Sequence, residues 1–308
     1  MIKYKNSIEI VDDKEKEEVN MEDKQKNLTY EELKDVQKRK DNIRIYKIYE
    51  AIALDFLFYY ATIFLFYINQ KELVNYQIFL IETSYILFKL LFYIFCQMYV
   101  QKYGKRRMLI LGNIFLIISL IILLGFKNII ALLISSAFCA LGFDLKELCE
   151  SDLLYDSIIK TDRRGDNFSK IESQANSKFY IIDTISCLLS GFLYVLNPYL
   201  PICLCIVITI LCLIISTQFQ DIKKDKNVKT LKTEFGELKN SLKSIGKSKR
   251  IMSLLIINGF FIGMLYVYNT LKNIVLLRVG VEEKYFGVIF AIRNIYFCNK
   301  YKVFGKNP

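Results

Sequence analysis

The residues with chemical potential in this sequence are ionisable side chains set inside apolar stretches. Asp55, Glu82, Lys89, Asp144, Glu147 and Asp183 each lie in such a run. An ionisable group near the centre of a bilayer costs about 2.5–3.5 kcal/mol on insertion scales, so its presence points to a role. Asp144 and Glu147 are three apart and share a helix face. Carboxylates with a compensating Lys89 can line a cavity, bind a solute or exchange a proton. The structural alternative is that Lys89 pairs with Asp55 or Asp144 and locks helices together.

Other chemistries are excluded by residue type. The chain has no His and no Trp. It therefore offers no His-ligated metal, no Ser-His or Cys-His nucleophile pair and no imidazole shuttle. The 8 Cys include no CxxC pair and sit mostly in apolar runs, where cysteine acts as a small apolar residue. No catalytic residue, metal or cofactor is expected, and the chain reads as a non-enzyme.

The elements that hold these residues are apolar runs of bilayer-spanning length. Of the 308 residues, 53% are hydrophobic and 24% charged, and the charge is gathered in blocks. Spans of about twenty apolar residues cross a hydrocarbon core. Seven are expected: about Tyr46–Ile68, Tyr76–Val100, Met108–Phe126, Ile129–Ile158, Phe179–Leu196, Tyr199–Phe219 and Ile251–Leu277. An eighth begins at Tyr285, is interrupted by Arg293 and loses apolar character near Cys298. That ending is the pattern of a C-terminally truncated chain.

The blocks give four regions. Residues 1–45 form a polar tail, with a capping box at Thr29 and Glu32. Residues 46–220 form a six-helix transmembrane bundle. Residues 221–250 form a basic link, in which Leu231, Phe235, Leu238, Leu242 and Ile245 describe an amphipathic helix suited to a membrane surface. Residues 251–308 start a second bundle.

Loop charge sets the orientation. Lys102, Lys105, Arg106 and Arg107 follow the second span, and Lys160, Arg163, Arg164 and Lys170 follow the fourth. The alternate links are poor in base: Lys71 stands in one, Lys127 in another, and Asn197 to Pro201 has none. Lys/Arg excess marks the cytoplasmic side, so the N-terminus is expected in the cytoplasm. The net charge of +11 is then accounted for by inner loops facing the lipid bilayer, with no nucleic-acid partner.

The loop after the second span reads Gln97-Met98-Tyr99-Val100-Gln101-Lys102-Tyr103-Gly104-Lys105-Arg106-Arg107. It resembles the signature of the major facilitator superfamily between its second and third helices. Lys102, Gly104, Lys105 and Arg106 match; Gln97 and Gln101 stand where that family has Gly and Asp. A sharp turn favours Gly104, and the bases hold the loop at the inner surface. The stretch Glu150-Ser151-Asp152-Leu153-Leu154-Tyr155-Asp156-Ser157 is similar to one that many bacterial members carry at the end of the fourth helix.

The resemblance covers about Ile45 to Gly280. It implies an all-α fold with an MFS-like N-terminal bundle, in a bacterial-type plasma membrane. It also implies secondary transport of a small solute by alternating access, coupled to a proton or another ion. Phe138 stands where proton-driven drug exporters carry an Arg, which argues against that subclass. The alternatives are a sensor or scaffold without transport, or an inactive transporter fragment. An intramembrane aspartyl protease fits less well, because Gly142-Phe143-Asp144 and Tyr155-Asp156 occur in reversed order on one helix.

Overall fold

A computed structural model describes residues 30–158, 164–222, 248–282 and 285–304. The capping box at Thr29 and the amphipathic face from Leu231 to Ile245 lie outside the described residues. Every regular element among the described residues is an α-helix: α1 Tyr30–Ala53, α2 Ile63–Asn69, α3 Asn75–Tyr103, α4 Lys105–Gly125, α5 Ile129–Ser157, α6 Arg164–Leu196, α7 Leu200–Ser216, α8 Lys249–Arg278 and α9 Phe286–Phe304. By length and composition, α3, α4, α5 and residues Gly165–Leu196 of α6 can each cross a membrane. α7, at 17 residues, is about 25 Å long at 1.5 Å per residue. The described residues are thus those of an all-helical membrane protein.

Local chemistry sets the helix ends. Gly104 turns the chain between α3 and α4 at φ 100, in a region that side chains with a Cβ rarely enter. The Asn128 side chain accepts the Ile130 N–H and caps α5. Pro201 stands in the first turn of α7, where its missing N–H is not needed.

Two expected spans differ from the observed helices. The run Tyr46–Ile68 is not one helix. α1 begins in polar sequence at Tyr30 and stops at Ala53, residues 54–62 are non-helical or turn-like, and α2 follows. The expected span Phe179–Leu196 is the apolar end of α6, whose polar first turns extend back to Arg164.

α5 is the hub, packed against α4, α3 and α1. α4 and α5 come together at paired glycines. A Cβ on Gly112 would lie 2.9 Å from the Gly142 carbonyl oxygen, and one on Gly142 would lie 2.6 Å from Leu116 Cδ2. The two helices therefore touch backbone to backbone, as small residues allow in membranes. α9 packs on α6. α3 is the outer wall: only 11% of its apolar window is buried, against 50% for α5. Its exposed Leu87, Leu90, Leu91 and Phe95 form the lipid face of a bilayer protein.

The bundle is stitched at two opposite ends. At one end Lys127 pairs with Glu72 at 3.1 Å, and Lys71 donates to the Leu124 carbonyl at the end of α4 at 3.0 Å. Burial, and then the nearby Lys127, push the Lys71 ammonium below its usual pKa range. At the other end Asn42 and Gln220 exchange two hydrogen bonds of 2.8 and 2.9 Å. Arg106 donates to the Thr217 carbonyl there. Each end has its own apolar core, one around Phe66, Leu120 and Tyr194, the other around Tyr49, Leu109 and Phe219.

Candidate functional site

The break between α1 and α2 builds the site. Asp55 Oδ1 accepts the Phe56 backbone N–H and the Tyr60 hydroxyl, both at 2.8 Å. A short acidic side chain that captures nearby donors competes with helical bonding. Phe58 adopts φ 64, a costly conformation for a bulky residue, and such strain clusters at working sites. Lys146 of α5 donates to the Leu54 carbonyl at 3.2 Å, replacing a bond that the broken helix cannot make.

A cavity of about 320 Å³ opens at this break. α1–α2 residues Asp55, Tyr59, Tyr60 and Tyr67 form one wall. Glu82 and Tyr85 come from α3, Ser119 from α4, and Ser135, Ser136 and Phe143 from α5. Phe290 and Arg293 of α9 complete the lining. The wall therefore joins carboxylates, hydroxyls, aromatic rings and one guanidinium, the mixture of apolar surface and few polar groups that ligand pockets use.

The sequence candidates divide. Asp55 and Glu82 line the cavity; Lys89, Asp144, Glu147 and Asp183 stand outside its lining. Lys89 pairs with Glu147 at 2.6 Å and not with Asp55 or Asp144, because α3 and α5 place those two side chains on a shared, partly exposed seam. Asp144 is 1% exposed, and neither carboxylate oxygen has a hydrogen-bond partner among the described residues. Asp183 accepts from Asn294 Nδ2 at 2.7 Å. Asn294 Oδ1 in turn accepts from Arg293 Nε and a terminal guanidinium nitrogen at 3.3 and 3.2 Å. Asp183 thus anchors the helix turn that carries Arg293 to the cavity.

Sequence reasoning missed a buried charge cluster behind the break. Lys146 is 1% exposed and its Nζ lies 3.7 Å from Glu150 Oε2. Glu50 is also buried, and Glu50 Oε2 and Glu150 Oε2 lack hydrogen-bond partners among the described residues. The signal was present: Lys146 and Glu150 are four apart in an apolar run, a pairing distance on a helix. Arg293 was noted only as an interruption of the last apolar run.

The loop motif has a structural role. Lys105 bonds Asp156 at 2.7 Å and Asp152 at 3.1 Å, so the Gly104 turn is tied to the end of α5. Arg39 of α1 also donates to the Asp156 carbonyl. The Arg106 backbone N–H reaches Asp221 at 3.4 Å. Lys102 lies over the Tyr103 ring, 5.1 Å from its centroid. Gln97 and Gln101 lie in the last turns of α3, before that turn.

These features define the class: a helical membrane protein with an internal polar cavity at a discontinuous helix. The sequence matches no model of a known protein family and no curated protein.

Proposed function

We propose that this chain is a secondary transporter of a small solute, with an MFS-like N-terminal bundle in a bacterial-type plasma membrane and its N-terminus in the cytoplasm. The observation that carries the reading is the charged, hydroxyl-rich cavity at the helix break. In secondary transporters, substrate sites are typically built at discontinuous helices near the membrane midplane. The bundle core also holds more carboxylates than bases, a composition suited to an ion-coupled cycle. A second support is the tie between Lys105 of the Gly-and-bases loop and Asp152 and Asp156, which joins the two stretches that resemble the superfamily. The lipid bilayer, a small solute and a coupling ion are the partners, and no chemical step is assigned to the chain.

The test does not require a known substrate. Native Cys139 lines the cavity. Vesicles of known orientation are treated with a membrane-impermeant maleimide from one face or the other, and Cys139 modification is read by peptide mass spectrometry. Alternating access requires labelling from both faces. Labelling from one face only, or from neither, would sink the transporter reading.

A further inference from the structure

We propose that the buried cluster of Glu50, Lys146 and Glu150 is the binding site of the coupling ion, and that this ion is a proton carried by Glu50. This deepens the transporter reading and rests on it for the use of the proton, though not for its binding.

Charge counting gives the ligand. Glu50, Lys146 and Glu150 are 3%, 1% and 4% exposed. Two carboxylates therefore share one ammonium in a space that solvent barely reaches. Lys146 Nζ lies 3.7 Å from Glu150 Oε2, and Glu50 Oε2 has no hydrogen-bond partner among the described residues. A buried carboxylate without a counter-charge of its own takes up a proton. The proton comes from water, forms an O–H bond at Glu50 and leaves Glu150 and Lys146 as a charged pair. The titratable groups facing the cluster are Tyr46 and Tyr49 on α1, Asp55 past its end, Glu147 and Cys149 on α5, Glu172 on α6 and Cys212 on α7. α4 contributes the neutral Asn113, bonded to the Tyr49 hydroxyl at 3.0 Å. None of these is a base, so none supplies the missing positive charge. A metal cation fits less well than a proton. It would sit against the Lys146 ammonium and needs several oxygen ligands, and no group of three or more metal-ligating side chains occurs among the described residues.

The cluster reaches the cavity through the helix break. Glu50 lies one turn before Leu54, whose N–H donates to the Glu50 carbonyl at 3.2 Å. The Leu54 carbonyl accepts from Lys146 at 3.2 Å. A void of about 10 Å³ is bounded by Asp55, Asn113, Lys146 and Thr209, with room and polar partners for about one water. Asp55 borders both this void and the large cavity. A proton thus has a polar route from the cavity past Asp55 to the cluster. Its loss leaves Glu50 negative and draws Lys146 between two carboxylates. That weakens the bond from Lys146 to the Leu54 carbonyl, where the broken helix is held.

The experiment uses the full chain in lipid nanodiscs and infrared difference spectra, which separate the C=O stretch of a protonated carboxyl from that of a carboxylate. Wild type is expected to show a glutamic acid band at neutral pH that is lost as the pH rises. Glutamate carrying heavy carbon at its carboxyl shifts this band and leaves any band of Asp144 in place. Glu50→Gln should remove the band. Glu150→Gln should remove it too, because Glu50 then gives up its proton and pairs with Lys146. Lys146→Met should add a second acid band.

The wild-type spectrum tests the proposal even where a variant fails to fold: the absence of a label-sensitive band overturns it. So does a band unchanged in both glutamine variants. Coupling has its own readout, the ratio of Cys139 labelling from the two faces of vesicles, in which the thiol's own pH dependence cancels. The ratio should change over the pH range in which the band is lost, and should ignore pH in Glu50→Gln. A wild-type ratio that ignores pH leaves a structural proton only and overturns the coupling role. An acid band without two-faced labelling keeps the proton site and sinks transport; two-faced labelling without the band does the reverse.

Discussion

Replacing Lys146 with Met should be among the most damaging single changes in the bundle. Its Nζ lies 3.7 Å from Glu150 Oε2, and the two side chains are 1% and 6% exposed, so solvent screens the pair little. At that separation the attraction is about 4 kcal/mol with an effective dielectric near 20. The substitution keeps the length of the stem but leaves Glu50 and Glu150 as buried carboxylates without their ammonium. It also removes the bond to the Leu54 carbonyl that closes the end of α1. Breaking a buried pair by removing one partner costs about 3–5 kcal/mol, and the same is expected here.

The assay is unfolding in mixed micelles, followed by a thiol-reactive dye that reports exposure of buried Cys96, Cys149, Cys205 and Cys212. The double variant Lys146→Met, Glu150→Gln removes charge from both sides and should recover at least half of the loss. A single variant within about 0.5 kcal/mol of wild type would refute the cluster as a stabilising element. A double variant no better than the single would show that the lysine acts through Glu50 and the Leu54 carbonyl and not through Glu150.

Further expectations concern packing and the stitched end. Gly142→Leu places side-chain atoms where Leu116 and the Gly112 carbonyl already lie. It should destabilise the bundle by about 1–3 kcal/mol or more, seen in the same unfolding assay. Ser177 Oγ and Cys298 Sγ are 3.7 Å apart, so Ser177→Cys should form a disulfide with Cys298 under mild oxidation. Proteolysis at a cleavage site engineered into the link between α7 and α8, followed by a non-reducing gel, would keep the two fragments joined. Adding Gly287→Val, whose side chain would collide with the Cys187 backbone, should abolish that cross-link. By contrast, Lys105→Gln should cost only about 0.2–1 kcal/mol, because Lys105 and Asp156 are 23% and 39% exposed; a loss of several kcal/mol would contradict the exposed pairing.

Much of the fold was legible residue by residue. The ends of α3, α4, α5, α7 and α8 fall within a few residues of the expected spans, because bilayer length and local caps act along the chain. Gly104 was legible as a turn for the same reason. The break in the first span was not. Ile-, Leu-, Phe- and Tyr-rich sequence reads as continuous helix, and the Lys146 contact with Leu54 and the Tyr60 and Phe56 contacts with Asp55 stabilise the interruption. The site was half legible: Asp55 and Glu82 were singled out and line the cavity, whereas Arg293 acquired meaning only when α9 was laid against α6.

What the sequence determined by itself is which stretches are long and apolar enough to enter a membrane and which charges go with them. Hydrophobicity and helical rise are properties of contiguous residues, and they require no knowledge of neighbours. What the tertiary structure decided is which of those charges meet. Lys89 faces Glu147, Lys146 faces Glu150, and Asp183 holds Asn294 beside Arg293. Each of these outcomes depends on the rotation and approach of packed helices. The approach of α4 to α5 is fixed where Gly112 and Gly142 let the backbones touch, and the cavity is the space that this packing leaves beside the broken helix.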